Sequence, residues 1–231
     1  MQSVSETYNQ IVSDINHWFE YKLRIDGTEY FSDSIRSVQT TLDMLDESIK
    51  PGKAVAGEID VEMLNPANAI PRMAIIEVFT RACNSTSQSE WLRQGIFRID
   101  TRKKTKTASG LSILTIHGYD DMLKAEQMYN GRITGNSTDI QMVNEIAYQM
   151  GVTVDARTTA MMTNAYTVPF PAGYTYREIL GFIGSMYIGS FVITDEGKLR
   201  LISLIDLPPE TNYLINKAGA AITFGGDRIL V

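Results

Sequence analysis

Cysteine occurs once in this 231-residue chain, at Cys83, and histidine twice, at His17 and His117. One cysteine excludes an internal disulfide, and two histidines with one thiol leave too few preferred ligands for a closed zinc centre. The sequence calls for no cofactor. Phosphate-binding loops are missing as well: no glycine fingerprint follows a strand and opens a helix, and Gly225-Gly226 lies in an extended segment. Nowhere do the roughly 20 consecutive apolar residues needed to span a bilayer occur, so stable membrane insertion is not expected. The N-terminus, MQSVSETYNQIVSDINHW, has no basic region followed by an apolar core, and the chain is expected to be made in the cytoplasm and to be soluble there. Basic charge is in deficit. The 21 Lys and Arg against 27 Asp and Glu leave a net charge of −6, which argues against a general nucleic-acid binder with a basic footprint.

What remains is a folded chain. Hydrophobic residues make up 44% and charged residues 21%, so no segment has the composition of disorder. A chain of this length buries roughly 70% of its unfolded surface and builds a core without staples.

The stretch from Glu90 to Glu126 organises the first half. Two long period-two runs flank a polar tip containing Ser109 and Gly110, and a short charged segment follows that reads as a helical turn. Simple alternation puts Phe97, Ile99 and Thr101 on one face and Arg98, Asp100, Arg102 and Lys104, continued by Lys106, on the other. The second face is a candidate subunit-contact surface. His117 and Asp120 form a His/Asp pair close in sequence. At a strand-to-helix junction Asp120 is read as a helix N-cap, and His117 as a structural histidine in its strand. His17, beside Trp18, is read as structural too.

Upstream, Glu6 to Asn16 has the spacing of a short amphipathic helix, either an arm for a neighbouring subunit or a helix on its own domain. Asp26-Gly27 marks a two-residue hairpin turn. Ile35 to Leu45 carries mixed signals, a strand followed by a loop, before a turn at Pro51-Gly52. In GEIDVEML, Glu58, Asp60 and Glu62 share one strand face and Ile59, Val61 and Met63 the other. The acidic row is either a solvated face, a channel-facing surface, or the partner of the basic strand. Met73 to Ala82 reads as a central strand. The strand count before Tyr119 matches an antiparallel barrel or sandwich.

After Asn130 the pattern becomes helical. Ser137 to Met150 starts with capping residues and stops at Gly151. Thr175 and Glu178 have capping-box spacing and open a second helix reaching Gly189. Its interior Gly181 and Gly184 each cost about 1 kcal/mol against alanine, which predicts a close approach by another element. Phe191 to Leu204 is a hairpin around Asp195-Glu196-Gly197, with a further strand at Val152 to Val154. Tyr166, Phe170, Tyr174 and Tyr176 form either a sugar-binding surface or a core plug. The residues therefore describe a β-rich α+β chain: a barrel domain with an N-terminal arm (1–125), a small α+β domain (126–205), and an extended return segment (206–231) whose last residues read as the beginning of a strand. No nucleophile–base pair, carboxylate pair or metal-ligand cluster is nominated.

Trp91 to Thr101 (W-x3-G-x-F-x-I-D-T) followed by HGYDDMLKAE, His117 to Glu126, resembles the tail hub proteins of bacteriophages and prophages. HWFEYKLRIDGTEY, AVAGEIDVEMLNP and IPRMAIIEV are similar to that family's first barrel, and STDIQMVNEIAYQMGVTVD with GYTYREILGFIGSMYIGSFVITDEGKLRL to its helix-hairpin domain. The resemblance implies a non-enzymatic baseplate or tail-tip hub: a homotrimeric ring in the virion tail that closes or continues the tube channel. Its implied partners are the tail tube or distal tail protein, the tape measure protein, and a central spike or tail fibre. DNA would pass through without specific binding, along a lumen for which Glu58, Asp60 and Glu62 are the candidate lining. The family carries two related barrels per chain, whereas this sequence shows strands for one; either the return segment (206–231) starts a second barrel near Ala221, the option its apolar ending favours, or the ring is built differently. The alternatives are a tail-associated cell-wall hydrolase and a carbohydrate (receptor) binding module.

Overall fold

A computed structural model describes residues 4–42, 50–204, 223–224 and 227–228. The first half contains helix α1 (Glu6–Val12) and strands β1 (Trp18–Ile25), β2 (Thr28–Phe31), β3 (Ile35–Thr41), β4 (Glu58–Leu64), β5 (Ile75–Cys83), β6 (Leu92–Lys106) and β7 (Ser112–Tyr119). A 3-10 helix (Asp121–Glu126) follows. The seven strands form one sheet in the order β2-β1-β5-β6-β7-β4-β3, with every neighbouring pair antiparallel. Asp26-Gly27 makes the two-residue turn between β1 and β2, both residues at positive φ.

β2 and β3 are the two edges of this sheet, yet only Ser32, Asp33 and Ser34 join them. Four residue steps reach about 14 Å at full extension. The sheet therefore curls until its edges approach each other, making a half-barrel. Leu23, Ile25, Val61, Met63, Ile76, Val78, Phe97, Ile99, Leu114 and Ile116 fill its core face. β4 shows the alternation plainly, with Ile59, Val61 and Met63 buried and the acidic side chains between them turned outward. Helix α1 lies on its own domain against β5, with Ile11 buried and Ser5 hydrogen-bonded to Glu90.

The basic face expected from Arg98 to Lys106 does not form as one surface. A β-bulge at Asp100 shifts the register, so that Ile99 pairs with Gly118 and Thr101 with His117. One extra residue reverses the alternation. Beyond it Arg102 stands opposite Ile116 and Lys104 opposite Leu114, which are core residues. Arg102, Lys104 and Lys106 thus project from the core side of the sheet and Arg98 from the outer side, where Thr101 and Lys103 follow it. From Asp100 to Lys106 every residue is exposed, so this end of β6 is an arm beyond the core.

The second half contains β8 (Ser137–Thr138), α2 (Asp139–Met150), β9 (Thr153–Val154), α3 (Ala156–Met161), β10 (Thr167–Val168), α4 (Tyr176–Met186), β11 (Gly189–Ile193) and β12 (Lys198–Ser203). β11, β12 and β9 form a small sheet, and β8 pairs with β10. A second core gathers Met142, Val143, Ile146, Ile179, Leu180, Ile183, Phe191, Leu199 and Leu201. Both longer helices open on complete capping boxes, Thr138 with Gln141 and Thr175 with Glu178. Helix α3 is an element that periodicity missed; its six residues, ARTTAM, carry little apolar pattern, and the Asp155 cap is its main signal. Of the extended return segment, only β13 (Thr223–Phe224) and β14 (Asp227–Arg228) are described, as an antiparallel pair; the rest of that expectation lies outside the described residues.

Residues 52–55, from the β3–β4 connection, run along β11 as an extra strand. The Gly52 N–H donates to the Gly189 carbonyl (2.7 Å), Phe191 N–H to Lys53 (2.7 Å), and Val55 N–H to Phe191 (3.0 Å). Gly52 has φ +89°, and a side chain there would meet Ser185 and the Gly181 carbonyl. A Cβ on Gly181 would lie 2.6 Å from the Gly52 carbonyl oxygen. The two interior glycines of α4 thus serve the expected close approach. Helix propensity alone makes Gly181→Ala stabilising by about 1 kcal/mol; overpacking against backbone makes it destabilising by about 1–3 kcal/mol. Urea denaturation should show a lowered midpoint; a raised one would refute the close-packed strap.

Candidate functional site

The acidic row lies on the outer face of the half-barrel. Asp60 meets the His117 ring (Oδ1 to Nδ1, 2.9 Å) and Glu62 meets Arg36 (2.5 Å). These pairs are solvent-exposed and contribute about 0–1 kcal/mol each. Strand β7 separates β4 from β6, so the row has no direct ladder with the basic strand inside one chain. His117 sits on β7 between them, edge-on to Tyr119. Its partner is a carboxylate, with no serine or cysteine in the contact. Among the described residues, no group of three His, Cys, Asp or Glu is placed to hold a metal ion.

Arg98 is engaged in bracing the fold. Its Nε donates to Asp121 Oδ1 (2.6 Å), which also accepts from Lys124 (3.0 Å). Burial alone would push the Asp121 carboxyl up, but these two cations outweigh it and hold it below the usual range. The clamp ties the 3-10 helix to β6.

Asp120 caps that 3-10 helix and does more than a cap requires. One carboxylate oxygen accepts from the Met122 N–H (2.9 Å), the other from the Gly57 N–H (2.8 Å) at the start of β4. The side chain is buried, and burial pushes its pKa up to about 7, against the opposing pull of the two N–H groups and Arg177. Arg177 in turn pairs with Glu126 (2.6 Å) and donates to the Ala54 carbonyl. Together with the strap, these contacts seat the second core on the end of the half-barrel. The only forward signal for the strap was the Pro51-Gly52 turn ahead of β4 together with the glycines of α4.

The aromatic cluster divides between core and surface. Tyr176 is buried, with its hydroxyl donating to Asn130. Tyr166, Phe170 and Tyr174 are half-exposed. Between the 169–171 loop and α4 lies a cleft of about 290 Å³, lined by Val168, Phe170, Tyr174, Phe182, Ile183 and Met186 among others. Every side chain lining it is uncharged.

No protein-family model and no curated protein sequence matches this chain. Solved structures do. The 43 kDa tail protein of prophage MuSo2 from Shewanella oneidensis superposes with a TM-score of 0.53 at 13% identity, over 81% of this chain and 56% of that one. A tail protein from Neisseria meningitidis MC58 superposes with a TM-score of 0.56 at 12% identity, over 88% of this chain and 53% of its own. The fold is that of phage tail proteins. At these identities the likeness is one of fold, and the chain spans about half the length of the tail proteins it resembles.

The Asp120 node carries a pH signature. The folded protein holds this proton more tightly than the unfolded chain, whose carboxyl titrates near 3.8. The stability it confers is full below about pH 4 and is lost as pH rises through about 7. Asp120→Asn removes that titration, so wild-type stability relative to the variant should fall between pH 4 and 7, by up to about 4 kcal/mol, and stay level above. Urea midpoints measured across that range give the comparison; a difference that rises with pH would contradict the assignment.

Proposed function

We propose that this protein is a structural subunit of a bacteriophage or prophage tail: a homotrimeric hub or ring at the tail tip or baseplate that closes or continues the tube channel. The observation that carries the reading is the pairing of a curled antiparallel half-barrel with a small α+β unit, which superposes on two tail proteins, one of them from a prophage, over most of this chain. Among the described residues, the outer ladder edges of β2 and β3 have no strand partner, which supports it. Exposed edges invite further strand pairing, and a closed ring would satisfy them. In such an assembly the tail tube or distal tail protein stacks above, the tape measure protein occupies the channel, and a central spike or fibre sits below. No catalytic role is proposed.

Glu58, Asp60 and Glu62 are our candidates for the channel lining, where a negative wall would repel DNA phosphates. Arg36 tempers that field, since it pairs with Glu62 in the row. The arm bearing Arg102, Lys104 and Lys106 is the candidate for subunit contact, and Arg98 contributes by holding the 3-10 helix at its base.

Native mass spectrometry and negative-stain images should show threefold rings of three chains, whereas a strict monomer at high concentration would count against the hub. The competing activities have their own readouts. Clearing of cell-wall material in zymograms would indicate a hydrolase, and glycan binding lost in a Phe170→Ala, Tyr174→Ala variant would indicate a receptor module; Tyr176, being a core residue, is unsuitable for that probe. For the lining, replacing Glu58 and Glu62 by Gln and Asp60 by Asn should slow DNA ejection at low salt, with the difference shrinking at high salt. Unchanged low-salt kinetics would remove these residues from the channel.

A further inference from the structure

Between the half-barrel and the β11–β12 hairpin lies a pocket of about 540 Å³. Leu42 and Gln94 reach it from the half-barrel, Arg157 from α3, and the hairpin supplies the rest of its wall. Small-molecule sites fall in the range of roughly 300–1,000 Å³ and favour the seam between packed units. This pocket meets both conditions.

Four of the side chains lining it are charged, and they divide into two kinds. Arg157 is committed to Asp155 by two side-chain bonds (2.8 and 2.6 Å), which hold the Asp155 carboxyl at about 2. Glu196 is committed to Lys198. Among the described residues, neither the Arg200 guanidinium nor the Asp195 carboxylate has a hydrogen-bond or ion-pair partner. The Arg200 Nε is moreover shielded from solvent, and buried donors are nearly always paired, because leaving one unmet costs stability. Strand geometry aims this residue at the pocket. Leu199 and Leu201 fill the second core, so alternation turns Arg200 to the opposite face of the small sheet, with its cross-strand neighbour Val192 and with Ile202. Asp195 sits in the hairpin turn, which the half-barrel holds in place through the Arg93 Nε bond to its carbonyl (2.9 Å).

We propose that this pocket binds a small zwitterion, an amino acid or short peptide, with its carboxylate on Arg200, its ammonium group on Asp195, and its carbon chain over Val192 and Ile202. The planar fork of arginine matches a carboxylate in two parallel bonds. One unpaired charge of each sign selects against singly charged ligands: a plain anion meets Asp195 and Glu196, and a plain cation meets Arg157 and Arg200. The same two carboxylates disfavour nucleic acid, and the lining has no aromatic ring on which a sugar would stack. The site lies within one chain and goes beyond the ring reading without depending on it.

Calorimetric titration of the full chain tests the site, with glycylglycine and γ-aminobutyrate as zwitterions and acetate and propylamine as singly charged controls. One equivalent of a zwitterion should bind saturably, and each control at least about tenfold more weakly, since each forgoes one charge-assisted bond. Arg200→Gln and Asp195→Asn should each weaken the zwitterion by a similar factor, whereas Glu196→Gln, which removes a charge already paired, should change it by less than about threefold. Thermal unfolding verifies that the variants fold. In the unsubstituted chain, the Arg200 Nε–H resonance, assigned by its loss in Arg200→Lys, should shift during the titration. Absence of saturable zwitterion binding overturns the proposal, as does binding that Arg200→Gln leaves intact. Acetate bound as tightly as the zwitterions and indifferent to Asp195→Asn marks a plain anion site, and the proposal fails on that outcome too. The ring reading is judged separately, by mass.

Discussion

The close approach of the strap to α4 is the constraint on which the rest of the architecture depends. A chain that leaves β3 and returns in β4 must cross the second core, and it does so as an added strand on β11, with Gly52 against Gly181. Backbone donors and acceptors of the strap are satisfied by β11 and by Arg177, as buried backbone demands. A side chain at either glycine would push the two units apart. The helix therefore tolerates two residues that propensity disfavours, since their absence of Cβ is what permits the contact.

Around that contact the polar groups are arranged in a short relay. Asp120 accepts from Gly57 at the end of the strap and from Met122 in the 3-10 helix. Arg98 and Lys124 hold Asp121 beside it, and Arg177 links Glu126 to the strap carbonyl. These groups look like a cluster fit for chemistry when met as residue types, but each has a structural partner. The function proposed for the chain accordingly rests on surfaces: ladder edges, a charged arm and an acidic row.

Much of this was legible in sequence. Period-two alternation located β4, β5 and the β6–β7 hairpin, Asp26-Gly27 located the first turn, and Thr175 with Glu178 located the start of α4. Local rules decide such features, because side-chain alternation, turn chemistry and capping depend on a few neighbouring residues. The same rules failed at Asp100. A bulge is a property of two strands in register, and nothing in the run IDTRKKTK distinguishes it from a regular strand. A single inserted residue was enough to move Arg102, Lys104 and Lys106 to the side opposite Arg98.

By itself, the sequence determined most of the elements: a β-rich first half, and two capped helices and a hairpin in the second. The tertiary structure alone decided what those elements present to one another. Sheet order set β7 between the acidic row and the basic strand, the three-residue link between β2 and β3 forced the sheet to curl, and packing of α4 left Phe182 and Met186 outside while drawing Tyr176 in. These are outcomes of long-range pairing, where the partner of a residue lies tens of positions away and no local pattern encodes it.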